Sequence, residues 1–167
     1  EDGHRILDFW QGHFANILGH NPEIVTDVLA RAFGQGFGLQ GGFTDRVEVE
    51  AARIICERTG SERVRFTTSG SLATMYAVML ARAFSARELV LKVRGGWHGA
   101  QPWGLKGVSY YDGFDRVESA GIPAAVAEGI VLAGFNNLDS LHAVFGAHGS
   151  KLACFILEPV IGAGGMM

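Results

Sequence analysis

Between residues 63 and 93 the side-chain pattern switches from strand to helix and back to strand, and a chain that does this has few ways to bury all three segments. Residues 63–67 suit a short strand, residues 72–84 carry Leu72, Met75, Tyr76, Met79, Leu80 and Ala83 as an apolar stripe at helical spacing, and residues 89–93 are apolar again. The simplest arrangement is a βαβ unit, two parallel strands joined by a right-handed helical crossover. The expectation is an α/β fold with a mostly parallel sheet flanked by helices.

The remainder extends that pattern. Residues 130–132 begin another strand, residues 139–145 suit a helix that Asn137 caps, and residues 123–128 suit a helical turn. Residues 152–157 form a nearly continuous apolar run, the mark of a central strand covered on both faces. Towards the amino end, residues 5–10 suit a hairpin or an extended segment. Asn21 as cap and Pro22 as first helical residue start a helix bearing Ile24, Val25, Val28, Leu29 and Ala32, which ends before Gly34. Residues 34–42 hold five glycines and read as a loop. Asp45, with Glu48 three residues on, caps a helix that Gly60 closes. The organisation expected is an amino-terminal segment, 1–44, followed by the first part of a larger α/β domain, 45–167.

With 167 residues, 48% apolar content and a net charge of −3, the chain has material for a sizeable core and no basic excess to recruit nucleic acid. No apolar run is long enough to span a bilayer and no leader opens the sequence, so a cytoplasmic protein without membrane partners is expected. Cys56 and Cys154 lie on apolar faces and read as core residues. The six histidines never fall at metal-ligand spacing beside a carboxylate, and no metal is expected. The chain opens at Glu1 and stops at Met166-Met167 after a glycine-rich turn, and reads as part of something longer.

Chemistry is expected where strands end. Ser69-Gly70-Ser71 stands between a strand and a helix, where the first N–H groups of the helix lack intrahelical partners and the peptide dipoles favour an anion. Gly70 lets the backbone come close, and Ser71 adds a hydroxyl. Trp97-His98-Gly99 follows the next strand and Glu158 ends a third. In a parallel sheet all three lie at the carboxyl edge, where ligands collect. Taken singly, each has a plain structural role: a helix cap, a loop anchor, a local ion pair. Together they suit a ligand with a phosphate and a flat aromatic ring.

In order and spacing these residues resemble the class III, fold-type I, pyridoxal-phosphate aminotransferases, with the glutamate-1-semialdehyde 2,1-aminomutase branch nearest. The resemblance covers nearly the whole chain: Asp2-Gly3 and Asp8 match the opening segment, Gly19-His20-Asn21-Pro22-Glu23 a Gly-His-x-x-Pro stretch, and residues 63–71 the phosphate turn. Trp97-His98-Gly99 matches the aromatic-His-Gly motif and Glu158-Pro159-Val160 the Glu-Pro-Val motif. Leu72 departs from the glutamate usual at that position, and residues 161–165 lack the asparagine of the mutase motif.

The resemblance implies part of a fold-type I large domain that binds pyridoxal 5'-phosphate through Ser69, Gly70, Ser71, Trp97, His98 and Glu158. It implies amino-group transfer on a small amino acid or amino-aldehyde, in a homodimer with residues 34–42 near the subunit boundary. The family's Schiff-base lysine and the aspartate that pairs with the pyridine nitrogen are expected downstream of Met167. None of Lys92, Lys106 and Lys151 matches that lysine, so residues 1–167 alone should not turn over. The other readings are an ω- or β-amino acid transaminase and a noncatalytic phosphate-binding or structural module.

Overall fold

A computed structural model describes residues 2–36, 44–108 and 120–163. Most of the expected glycine loop, and the tail of the segment after Glu158, lie outside the described residues. Contacts divide the chain into two compact units, Glu1–Glu62 and Arg63–Met167.

In the first unit, of the two expectations for residues 5–10, a hairpin or an extended segment, no hairpin forms: residues 5–8 carry no regular secondary structure and residues 9–10 bend. The Asp8 carboxylate accepts the N–H groups of Trp10 and Gln11 at 2.8 and 3.0 Å and pairs with His20 Nε2 at 2.6 Å. A side chain that satisfies the backbone locally competes with strand pairing, and here a turn results. The single turn α1 (Gln11–Phe14) follows, with positive φ at every residue. Helix α2 (Glu23–Gly34) is capped by Pro22, not Asn21, and includes Gly34; Asn21 sits one position earlier in a left-handed conformation. Helix α3 (Arg46–Thr59) follows the sequence closely. Asp45 accepts the Glu48 N–H at 2.8 Å, and Gly60 ends the helix with φ of 72°. That is the left-handed cap for which glycine carries no Cβ penalty.

The second unit is built on a parallel three-stranded sheet. Helix α4 (Gly70–Ser85) precedes β1 (Leu89–Val93), the short helix α5 (Ala124–Glu128) precedes β2 (Ile130–Ala133), and α6 (Leu138–His148) precedes β3 (Leu152–Ile156). The strand order is β2-β1-β3, with Leu91 opposite both Val131 and Phe155. The sheet is covered on both faces. Val78 of α4 packs with Val90, Trp103 and Ile130 on one, while Leu91, Ala133 and Leu152 pack against Leu141 and Val144 of α6 on the other.

Three expectations need correction. Among the described residues β1, not β3, is the central strand, and β3 beyond Leu152 is only half-buried. An apolar run reports that a strand meets hydrocarbon; it does not report which strands run alongside. Residues 63–67 form no strand, because a strand needs a neighbour for its N–H and C=O groups and none pairs with them among the described residues.

The third concerns α4. Its buried side runs through Ser71, Thr74, Val78, Ala81 and Ser85, with Val78 only 2% exposed, whereas Leu72, Met79, Leu80 and Ala83 of the expected stripe are exposed. Met75 and Tyr76 are half-buried, and the Arg65 guanidinium lies 4.6 Å from the Tyr76 ring centroid. The helix is apolar nearly all round, so periodicity alone does not choose a face. Side-chain hydrogen bonds accompany the choice, Ser71 Oγ accepting and Thr74 Oγ1 donating.

Candidate functional site

The carboxyl edge of the sheet brings the three motifs together within the second unit. Ser69 is the cap of α4: its backbone is extended and its Oγ accepts the Leu72 N–H at 3.2 Å. Gly70 and Ser71 therefore open the helix with N–H groups that have no intrahelical acceptor. The first turn contains no acidic residue. Nothing lies within 4 Å of the place a Cβ would occupy at Gly70, and the turn is exposed. The result is an open, positively polarised helix end.

The loop after β1 docks against that end. Ser71 Oγ accepts the Ala100 N–H at 3.3 Å. Thr74 Oγ1 donates to the His98 carbonyl at 2.7 Å, while the Gln101 side-chain NH₂ donates to Thr74 Oγ1 at 2.7 Å and to the same His98 carbonyl at 3.0 Å. Gly99 lies at the point of closest approach, with φ of +105°. A Cβ there would stand 2.4 Å from Gln101 Oε1, 2.7 Å from Ser71 Oγ and 2.8 Å from Ser71 Cα. Only glycine fits both the angle and the space.

Trp97 and His98 then diverge. Trp97 remains exposed, at 47%, in the loop that docks on the helix end, while His98 is 6% exposed. Burial, the nearby Lys92 ammonium and, in the opposite sense, the Glu158 carboxylate set the His98 pKa, and the net effect lowers it to about 4. His98 is thus neutral at physiological pH, and its Nε2 is buried with no hydrogen-bond partner. Gly96 sits above it. A Cβ at Gly96 would lie 3.0 Å from Nε2 and 3.7 Å from Glu158 Oε1.

Glu158 joins two loops. Oε1 accepts the Trp97 N–H and Oε2 accepts the Gly162 N–H at 3.1 Å, so one carboxylate ties the loop after β1 to the loop after β3. Hydrogen bonds to an ionised acceptor are about twice as strong as neutral ones, which makes this an effective clamp. Below the site, Lys92 is fully buried in the central strand and donates from Nζ to the Gly104 carbonyl at 2.7 Å.

The structure thus gathers all six residues singled out from the sequence at one edge and adds Thr74, Gln101, Gly96 and Lys92. Thr74 had a signal: with Ser71 it makes a polar pair at i, i+3 in the otherwise apolar first half of the helix. Gln101, in a loop, had none. Lys106 donates to the Ala127 and Ile130 carbonyls, and Lys151 precedes β3 at the opposite end of the sheet from Glu158. Neither reaches this edge as a nucleophile, and Lys92 is directed into the Gly104 turn.

Comparison with known proteins agrees with that architecture. Two curated relatives are glutamate-1-semialdehyde 2,1-aminomutases. That of Thermoplasma volcanium is 36% identical over 99% of this chain and 40% of its own length. That of Deinococcus radiodurans is 37% identical over 99% and 39%. Among solved structures, an ω-transaminase from Sphaerobacter thermophilus superposes with a TM-score of 0.85 at 28% identity, over 96% of this chain and 38% of that one. A glutamate-1-semialdehyde aminomutase from Pseudomonas aeruginosa PAO1 gives 0.72 at 25% identity, over 96% and 35%. The chain spans about two fifths of the length of the curated relatives it matches. The family model described as aminotransferase class-III matches residues 1–167, and the chain belongs to that family.

Proposed function

We propose that the protein acts, in its full length, as a pyridoxal 5'-phosphate enzyme of amino-group transfer, of the glutamate-1-semialdehyde 2,1-aminomutase type. The observation that carries the proposal is the open amino end of α4, against which the loop bearing the exposed Trp97 docks. The fit is physical: the uncovered space at Gly70 admits an anion, the first turn carries no competing carboxylate, and the Trp97 indole offers a face for a flat ring.

In this reading Gly70 and Ser71 bind the phosphate through backbone N–H groups, and Trp97 stacks on the ring. The coenzyme supplies an electron sink for a carbanion formed next to the substrate amine. Glu158 holds Trp97 in place through its backbone N–H, and neutral His98 supports the loop from beneath without adding charge near the ring. The attachment lysine and the aspartate facing the pyridine nitrogen belong to the region expected downstream of Met167. Substrates are small amino acids or amino-aldehydes, and the working unit is a cytoplasmic homodimer. Among the described residues no helix is long and apolar enough to cross a membrane.

A second reading, ω- or β-amino acid transaminase, is favoured by the superposition on the ω-transaminase. One assay separates the two. Incubated with glutamate 1-semialdehyde and no keto acid, the full-length protein should form 5-aminolevulinate. Turnover that demands a separate keto acceptor supports the transaminase, and failure to retain the coenzyme overturns both.

A further inference from the structure

The geometry points to Thr74 and Gln101 as positioning residues that fix the separation between the anion seat at Gly70-Ser71 and the indole of Trp97. This rests on the function proposed above. Neither side chain reaches the exposed edge; their work lies behind it. The Gln101 NH₂ uses one hydrogen on Thr74 Oγ1 and the other on the His98 carbonyl, and Thr74 closes the ring by donating to that same carbonyl at 2.7 Å. The triangle is anchored on α4, three residues past Ser71, and on the carbonyl of the residue directly after Trp97.

A ligand with a phosphate at one end and an aromatic ring at the other gains from such a device. Once one end is bound, the other finds its subsite at a high effective concentration only if the two subsites are held at the matching distance. Gly99, with no room for a Cβ against Ser71, shows how closely the loop is drawn onto the helix. Loosening the triangle should leave each subsite intact and remove the advantage of occupying both.

The test uses three ligands that cannot attach covalently to a lysine: inorganic phosphate, pyridoxine and pyridoxine 5'-phosphate. Binding to the full-length protein is read from tryptophan fluorescence, with Trp97→Phe establishing which signal is local, and phosphate is measured by competition. Thr74→Val and Gln101→Met should each leave phosphate and pyridoxine affinities within about twofold and weaken pyridoxine 5'-phosphate about tenfold. Thr74→Ser, which keeps the hydroxyl, should restore it. An unchanged affinity for pyridoxine 5'-phosphate overturns the inference, as does a proportionate loss for all three ligands, which is what general loosening gives. If Thr74→Val does not fold, Gln101→Met tests the same triangle from the loop. Failure of the unaltered protein to bind pyridoxine 5'-phosphate overturns the functional reading itself, a result distinct from either.

Discussion

Substituting Gly70 by Asp should move stability and anion affinity in opposite directions. Gly70 opens α4, whose first turn has no acidic residue, and a Cβ at that position meets nothing within 4 Å. A carboxylate there interacts favourably with the helix dipole by about 0.3–1 kcal/mol. Replacing glycine in a helical position adds a few tenths of a kcal/mol through reduced freedom of the unfolded chain, by rough count. Stability should therefore rise by about 0.5–1.3 kcal/mol, read as a higher denaturant midpoint at constant slope.

The same carboxylate stands where the phosphate would sit. Two like charges 4 Å apart repel by about 1 kcal/mol in bulk water and about 4 kcal/mol at an effective dielectric constant of 20. The seat is exposed, so the lower figure governs each unit of charge, and a dianion doubles it. Affinity for pyridoxine 5'-phosphate should fall by at least about tenfold, since each 1.4 kcal/mol is a factor of ten. Pyridoxine, which lacks the phosphate, should bind as before. The reasoning fails if the variant is less stable, because the helix end is then not the open terminus described here. It also fails if phosphate-bearing and phosphate-free ligands lose affinity equally.

The remaining predictions concern packing, capping and charge. Gly99→Ala forces a Cβ to within 2.8 Å of Ser71 Cα at φ of +105°. Overpacking alone costs about 1–3 kcal/mol, so a clear drop in thermal midpoint is expected, together with quenched binding to Trp97; a variant of normal stability would refute the tight docking. Asp45→Ala removes the cap that accepts the Glu48 N–H at 2.8 Å and should cost about 1 kcal/mol in urea unfolding, against no change if the cap is idle. His98, lowered from 6.5 to about 4, is neutral in the fold and more readily protonated when unfolded. Its contribution is complete above pH 6.5 and lost as the pH falls toward 4, with a slope approaching about 1.4 kcal/mol per pH unit. Lys92→Met removes one of the charges that hold the His98 pKa down, so a titration of His98 by NMR should move upward; a downward shift or none contradicts the electrostatic account.

Much of the second unit was legible because its signals are local. Asn137 and Ser69 accept N–H groups three residues on, as their positions before apolar helices require. The parallel strands follow from short apolar runs between helices. What was not legible depends on neighbours that a single segment cannot specify. The face of α4 that packs was misread because Leu72, Met79 and Leu80 look as suitable as Val78 until the partners of Ser71 and Thr74 are known. The choice between a hairpin and an extended segment over residues 5–10 stays open in the sequence for a similar reason: Asp8 engages the local backbone and His20, a competition invisible in the apolar pattern.

The same distinction changes how the site residues should be understood. Ser69, Ser71 and Glu158 were singled out as groups that touch a ligand, yet each has a side-chain oxygen accepting a backbone N–H of its own helix or of a neighbouring loop. Beyond those contacts the site offers main chain at Gly70 and Ser71 and the exposed Trp97, with the serine hydroxyl hydrogens as the remaining side-chain donors. A seat made of N–H groups recognises an anion by geometry and dipole, and depends on the helix end being held in place more than on any one donor side chain. Leucine at position 72 is compatible with this, since its N–H serves the Ser69 cap whatever side chain it bears. Side-chain chemistry then matters most behind the seat, at Thr74, Gln101 and Glu158. There, substitutions that remove the hydrogen-bonding group should alter how tightly a two-ended ligand is held while leaving the helix end competent to bind phosphate alone.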